Sequence, residues 1–169
     1  MMARLRRWFE RLLESIVMVL MIAMAVEVLV GVTYRKLGNS LSWYDEIASV
    51  TLAWVTYYGA ALAALRGAHI GVPEVVHFMP RAWRVATVYI GEFLVFAFLI
   101  LLAWTGVSVL DVLATDTLVS LPTVPVSYTQ SVIPISAVLF IIAEALYFPE
   151  RLAEARAGKQ PEVGGMGDP

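Results

Sequence analysis

Apolar residues gather into four long runs separated by short polar segments. Each run reaches the roughly 20 residues that an α-helix needs to cross the hydrocarbon of a bilayer. The pattern predicts spans over about 13–33, 43–65, 83–110 and 126–148. Ahead of the first run, Leu5, Trp8, Phe9, Leu12, Leu13 and Ile16 recur at helical spacing, with Arg4, Arg7, Arg11 and Glu14 between them. Such a segment lies among lipid headgroups or feeds directly into a span. The fold class expected is therefore an all-α membrane protein with four transmembrane helices and an amphipathic N-terminal segment. Its transmembrane domain covers 1–149, and 150–169 forms a cytoplasmic tail whose polar end, Gly158 to Pro169, reads as disordered. Trp83 and Trp104 stand ~31 Å apart along a helix axis at 1.5 Å per residue, so they read as markers of the two interfaces of the third span.

The boundaries carry local signals. Ser42 reads as the N-cap of the second helix, with Asp45 three residues later completing a capping-box pattern. Asp45 and Glu46 fall in the first turn and Arg66 follows the last, the arrangement the helix dipole favours. Gly59, Ala63 and Gly67 recur every fourth residue and predict a face that another helix can approach closely in lipid. Pro134 lies early in the fourth span, where neighbouring helices must satisfy the carbonyl it leaves free.

Charge gives the orientation. Of the twelve Lys and Arg residues, ten lie in the N-terminal segment (Arg4, Arg6, Arg7, Arg11), the second connection (Arg66, Arg81, Arg84) and the tail (Arg151, Arg156, Lys159). Only Arg35 and Lys36 lie on the other side. The positive-inside rule then places both termini in the cytoplasm. Only 15% of the 169 residues are charged, against roughly 25% in soluble domains. The apolar run after Arg7 continues past Ala23-Met24-Ala25 to Val32, long enough to span, so a membrane helix is expected there and not a cleaved leader.

Candidate chemistry is sparse. There is no cysteine, which excludes a disulfide framework, a thiolate metal site and a cysteine nucleophile. No phosphate-binding glycine loop and no basic stripe for nucleic acid is present. Glu27, Glu92 and Glu144 lie in or near spans, where an ionisable group costs at least ~2.5–3.5 kcal/mol unless paired or wet. They read either as an ion path or as paired structural groups, with Arg66, Arg81 or Arg84 as partners for Glu92 and Glu144; the second reading is favoured. His69 and His77, with Glu74 between them, are too few and too widely spaced for a zinc site. No catalytic, metal, cofactor or substrate site is expected within this chain.

Two stretches resemble a known family. The first runs Tyr34-Arg35-Lys36-Leu37-Gly38-Asn39-Ser40-Leu41-Ser42-Trp43-Tyr44-Asp45-Glu46 and the second Gly59-Ala60-Ala61-Leu62-Ala63-Ala64-Leu65-Arg66-Gly67-Ala68-His69-Ile70. With four spans, a W-x-D-E start to the second helix and Pro134 in the last, the chain resembles the small permease subunit of TRAP transporters (DctQ-like). One departure is that Tyr34 precedes Arg35, whereas the family places its arginine before the aromatic residue.

The resemblance implies an accessory role in the bacterial inner membrane. A large elevator-type permease subunit (DctM-like) would carry the substrate and sodium sites. A periplasmic substrate-binding protein (DctP-like) would deliver an organic acid. This chain would scaffold the former in membrane lipid and help seat the latter. Arg35, Lys36, Asn39, Trp43 and Tyr44 are then the docking face. Ser42, Asp45, Glu46, Arg66, His69 and Pro134 are the structural motif, and Gly59, Ala63 and Gly67 the packing face. The alternatives are a self-sufficient homo-oligomeric transporter or channel using Glu27 or Glu92, and a membrane enzyme using His69, His77 and Glu74.

Overall fold

A computed structural model describes residues 2–67 and 80–157. Helix α1 (Met2–Lys36) leads into α2 (Tyr44–Leu65), α3 (Arg81–Val112), a 3-10 turn (Leu113–Thr115), the short α4 (Val126–Gln130) and α5 (Val132–Ala157). Among the described residues there is no strand, only an isolated bridge between Thr117 and Pro125. Four helical stretches are long and apolar enough to cross a membrane: Arg4–Lys36, Tyr44–Leu65, Ala82–Thr115 and Val126–Ala153.

Helix α1 absorbs the amphipathic segment without a break. At 1.5 Å per residue it is ~52 Å long, well beyond the ~30 Å of hydrocarbon, so one end projects past the span. The projecting turns bury Phe9 and Leu13 while Leu5 and Trp8 stay exposed. Phe9 and Leu13 join Ala61, Ala64, Leu65 and Ala143 in the main buried cluster, where α1, α2 and α5 meet.

The principal helix contacts run α1 on α2, α2 on α5, and α5 on α3. The helices thus form a row in the order α1, α2, α5, α3. Many large apolar side chains on the row face outward, among them Leu29, Phe93, Phe98 and Trp104. Water would penalise that surface; lipid does not, since exchanging acyl chains for side chains removes no apolar area from water. Between α2 and α3, with α5 as its floor, lies an open groove of about 520 Å³ lined by Tyr57, Ala60, Leu94, Phe98, Phe140 and Arg151, among others.

One expectation needs correction. Ser42 is not the N-cap of α2. That position falls to Trp43, whose backbone is in the helical region and whose side chain makes no capping bond. Effective capping needs an extended backbone that lifts a side-chain oxygen over the first amides, and a turn at 42–43 replaces it here. The fourth span falls where it is expected, within the membrane-capable stretch Val126–Ala153, and a break divides it near its start. Helix α4 ends at Gln130 and α5 begins at Val132. Pro134 has no N–H to offer the Gln130 carbonyl, and its ring crowds that carbonyl, so the helix restarts there. The restarted helix runs beyond Phe148, through Pro149 to Ala157, so the first part of the expected tail is helical.

Candidate functional site

The helices alternate in direction, which gathers their charged termini at two opposite ends. Ion pairs define the basic end. Arg66, just past α2, donates from Nε to Glu10 at 2.9 Å and lies 3.3 Å from Glu14, both on α1. The hydrogen bond to Glu10 pushes the Arg66 guanidinium pKa further up from its ordinary value, so it stays charged. Arg6 pairs with Glu150 of α5, donates to the Leu65 carbonyl at 3.1 Å and lies over the Tyr147 ring.

Arg151 reaches back from the last turns of α5 toward the bilayer. Its Nη1 lies 3.0 Å from Glu92 on α3 and 3.5 Å from Glu144 on α5 itself. Both carboxylates are buried, Glu144 completely. Arg66, one of the three partners expected for these acids, is engaged by Glu10 and Glu14 instead. Arg151 was not among the three. The available signal was its spacing of seven from Glu144, which places both on one face of a helix.

The opposite end holds the expected docking residues. Helix α1 closes on Gly38, whose positive φ of 82° permits the Asn39 N–H to donate back to the Tyr34 carbonyl at 3.1 Å. Arg35, Lys36 and Asn39 are exposed there, with both cations in the last turn of α1 where the dipole favours them. Trp43 and Tyr44 are half-buried. The Tyr44 ring packs directly over Gly31 of α1, where any Cβ would collide with it. Tyr44 thus contributes to helix packing as well as to this end of the molecule.

Glu46 has a role the sequence reading did not find. Its two oxygens accept the backbone N–H groups of Val119 and Ser120 at 3.0 and 2.8 Å, tying the α3–α4 connection to α2. Asp45 beside it is exposed. Trp54 makes a second tie, donating from Nε1 to the Thr129 carbonyl at 2.8 Å.

The predicted packing stripe divides. Gly67 has a φ of +66° and sits under the Tyr147 ring, so it is required inside this chain. Gly59 has no atom within 4 Å of the position a Cβ would take. Ala63 between them is half-buried, and close packing within the chain uses Ala61, Ala64 and Leu65 instead. His69, His77 and Glu74 lie outside the described residues.

Between the two ends polar contacts are few. Glu27 accepts from the Thr51 hydroxyl at 3.3 Å across the α1–α2 contact. The Ser136 hydroxyl donates to its own helix at Ile133. Among the described residues no three His, Asp or Glu side chains converge as metal ligands would. The family model described as the DctQ component of tripartite ATP-independent periplasmic transporters matches residues 24–153. The chain belongs to the DctQ family. The match takes in the last part of α1 and the other three membrane-capable stretches and ends two residues past Arg151, so both the Glu46 staple and the Arg151 cluster lie within it. No match was found among curated proteins. As a DctQ component the chain is a multi-pass membrane part of a TRAP transporter.

Proposed function

We propose that this DctQ chain is the lipid-embedded scaffold of its transporter and carries no solute path of its own. It holds a large, elevator-type permease subunit in the bacterial inner membrane, with both termini cytoplasmic. At its periplasmic end it helps seat a soluble substrate-binding protein, for sodium-driven uptake of an organic acid. The observation that carries this reading is the segregation of polar groups. Ion pairs cluster toward the basic end, docking candidates sit at the other, and the bilayer-depth contacts between are isolated. A substrate site at the midplane needs several convergent polar groups, commonly on broken helices. The break at Ser131 falls in the first turns of its span, near the periplasmic interface.

The row supplies a surface for the large subunit. On α2 the open face at Gly59 and the half-buried Ala63 allow a second backbone to come close, as small residues do in lipid. Gly59→Leu and Ala63→Leu test this. Because nothing in the chain lies near Gly59, Gly59→Leu is expected to leave this polypeptide folded and membrane-inserted. Co-purification with the large subunit should fall for both variants, by about tenfold in apparent affinity for a lost close contact. Undiminished co-purification of both variants would remove this face from the interface.

A further inference from the structure

Glu27 is an acid without a cation. Positions 15–34 of α1 hold no other acid and no Lys, Arg or His, and positions 37–65, which include all of α2, hold no Lys, Arg or His either. Among the described residues the extensive contact of α1 is with α2, and no ion pair reaches Glu27. Arg35 lies eight residues on, ~12 Å along the helix axis at 1.5 Å per residue, and is exposed at the aqueous end.

The two carboxyl oxygens have different surroundings. Oε1 is buried with no hydrogen-bond partner. Oε2 stands 3.3 Å from the Thr51 Oγ of α2. The same Oγ lies 3.0 Å from the Ile47 carbonyl of its own helix. A hydroxyl has one proton to give and lone pairs with which to receive another. If Thr51 gives its proton to Ile47, the nearer acceptor, its oxygen is left to accept from Glu27, and the carboxyl must then bring the proton. The heavy-atom geometry admits either polarity; the energetics favour one. An ionised Glu27 would have one contested hydrogen bond, one bare buried oxygen and no counterion. A charge so placed within hydrocarbon is expensive, and neutralisation relieves it. The neutral acid leaves bare only a carbonyl oxygen, with no net charge.

The other titratable groups on these helices do nothing for a charge on Glu27. Tyr44 covers Gly31 one turn away, Tyr58 packs on the buried cluster, and Tyr57 lines the groove toward α3. Tyr34 and Asp45 are exposed, and Glu46 is spent on Val119 and Ser120.

We infer that Glu27 is a proton-binding site: at neutral pH its carboxyl holds one proton and donates it to Thr51, fastening α1 to α2 through neutral groups. Positions 15–34 and 47–65 offer no second acid and no histidine to pass the proton on. The site therefore keeps a proton and does not conduct one. This holds independently of the docking role proposed above.

The experiment compares infrared spectra of the wild-type chain, in complex with its large subunit in lipid nanodiscs, with those of Glu27→Gln at neutral pH. The difference is expected to show the carbonyl stretch of one protonated carboxylic acid per chain. Thr51→Val removes the acceptor and should move that band to higher frequency, whereas Thr51→Ser should leave it in place. Glutamine has the shape of the neutral acid, so Glu27→Gln should insert, keep the large subunit and melt no earlier than wild type. The folded chain holds a proton that the unfolded chain has lost, so stability falls as pH rises. Wild type should therefore melt progressively earlier than Glu27→Gln as the pH is raised above neutral. A missing acid band at neutral pH overturns the inference, whether water or a cation of the large subunit has replaced the proton. So does a Glu27→Gln chain that fails to insert, melts early or loses the large subunit, because the charge would then be what matters. A band that does not respond to Thr51→Val overturns the assigned hydrogen bond.

Discussion

Replacing Arg151 by methionine is expected to cost the protein most of its folded, monodisperse yield. Arg151 is the cation shared by Glu92 and Glu144, which are 4% and 0% exposed. It works at the α3–α5 contact, the most extensive helix contact among the described residues. Methionine matches its length and apolar stem but withdraws the charge. Removing one partner from a buried ion pair destabilises by about 3–5 kcal/mol, because the charge that stays buried is less well compensated. Thermal unfolding in detergent, with size exclusion as a check on monodispersity, reads this directly. The cost should come from the poorer charge compensation of the two buried carboxylates and not from lost packing. Glu92→Gln and Glu144→Gln added to Arg151→Met should therefore recover most of the stability, as replacement of a whole buried ionic group by neutral residues commonly does. An Arg151→Met protein as stable as the parent would show that the cluster does not hold α3 against α5.

The second large effect is expected at Gly67→Ala. Two separate penalties meet there. The backbone φ of +66° is a left-handed conformation, which costs an L-residue with a Cβ roughly 1–2 kcal/mol. The new methyl would also drive into the Tyr147 ring, and overpacking of that kind costs about 1–3 kcal/mol. Tyr147 in turn lies under the Arg6 guanidinium, so displacing it loosens the contact of α1 with α5. Gly67→Ala should lower the unfolding temperature clearly. Gly59→Ala, inside α2 with open space around it, should leave it unchanged or raise it, since alanine is the better helix former by about 1 kcal/mol. Adding Tyr147→Ala should relieve the steric part of the Gly67→Ala defect but not the backbone part. Equal melting of Gly67→Ala and Gly59→Ala would contradict this account of how α2 ends.

These two sites show which parts of the molecule were legible in the residue order. The four spans were, because length and apolarity decide whether a helix can sit in hydrocarbon, and both are local quantities. The continuity of the amphipathic start with α1 was half legible. Periodicity marks a helix, but only tertiary burial of Phe9 and Leu13 fixes which side of it turns inward. The Glu92–Arg151 pair joins residues 59 positions apart, and only the seven-residue spacing of Arg151 from Glu144 pointed toward it. The small-residue stripe is the clearest lesson. Gly59 and Gly67 look alike as letters four-residue steps apart, yet one is demanded by a left-handed backbone under a tyrosine and the other faces open space. Ser42 matched a capping pattern that the chain does not use, because the turn before Trp43 already sets the direction of α2. Glu46 was expected to anchor its own helix, and it instead reaches 73 residues along the chain to hold the α3–α4 connection. No local rule predicts that partner.

Solute uptake into proteoliposomes of defined composition bears most directly on whether this chain is support or carrier. Vesicles holding this polypeptide alone, given an inward sodium gradient, binding protein and organic acid, should accumulate nothing above protein-free vesicles. Adding the large permease subunit should switch uptake on, and leaving this chain out again should reduce it sharply. Sodium-coupled accumulation by the lone chain would contradict the scaffold account outright.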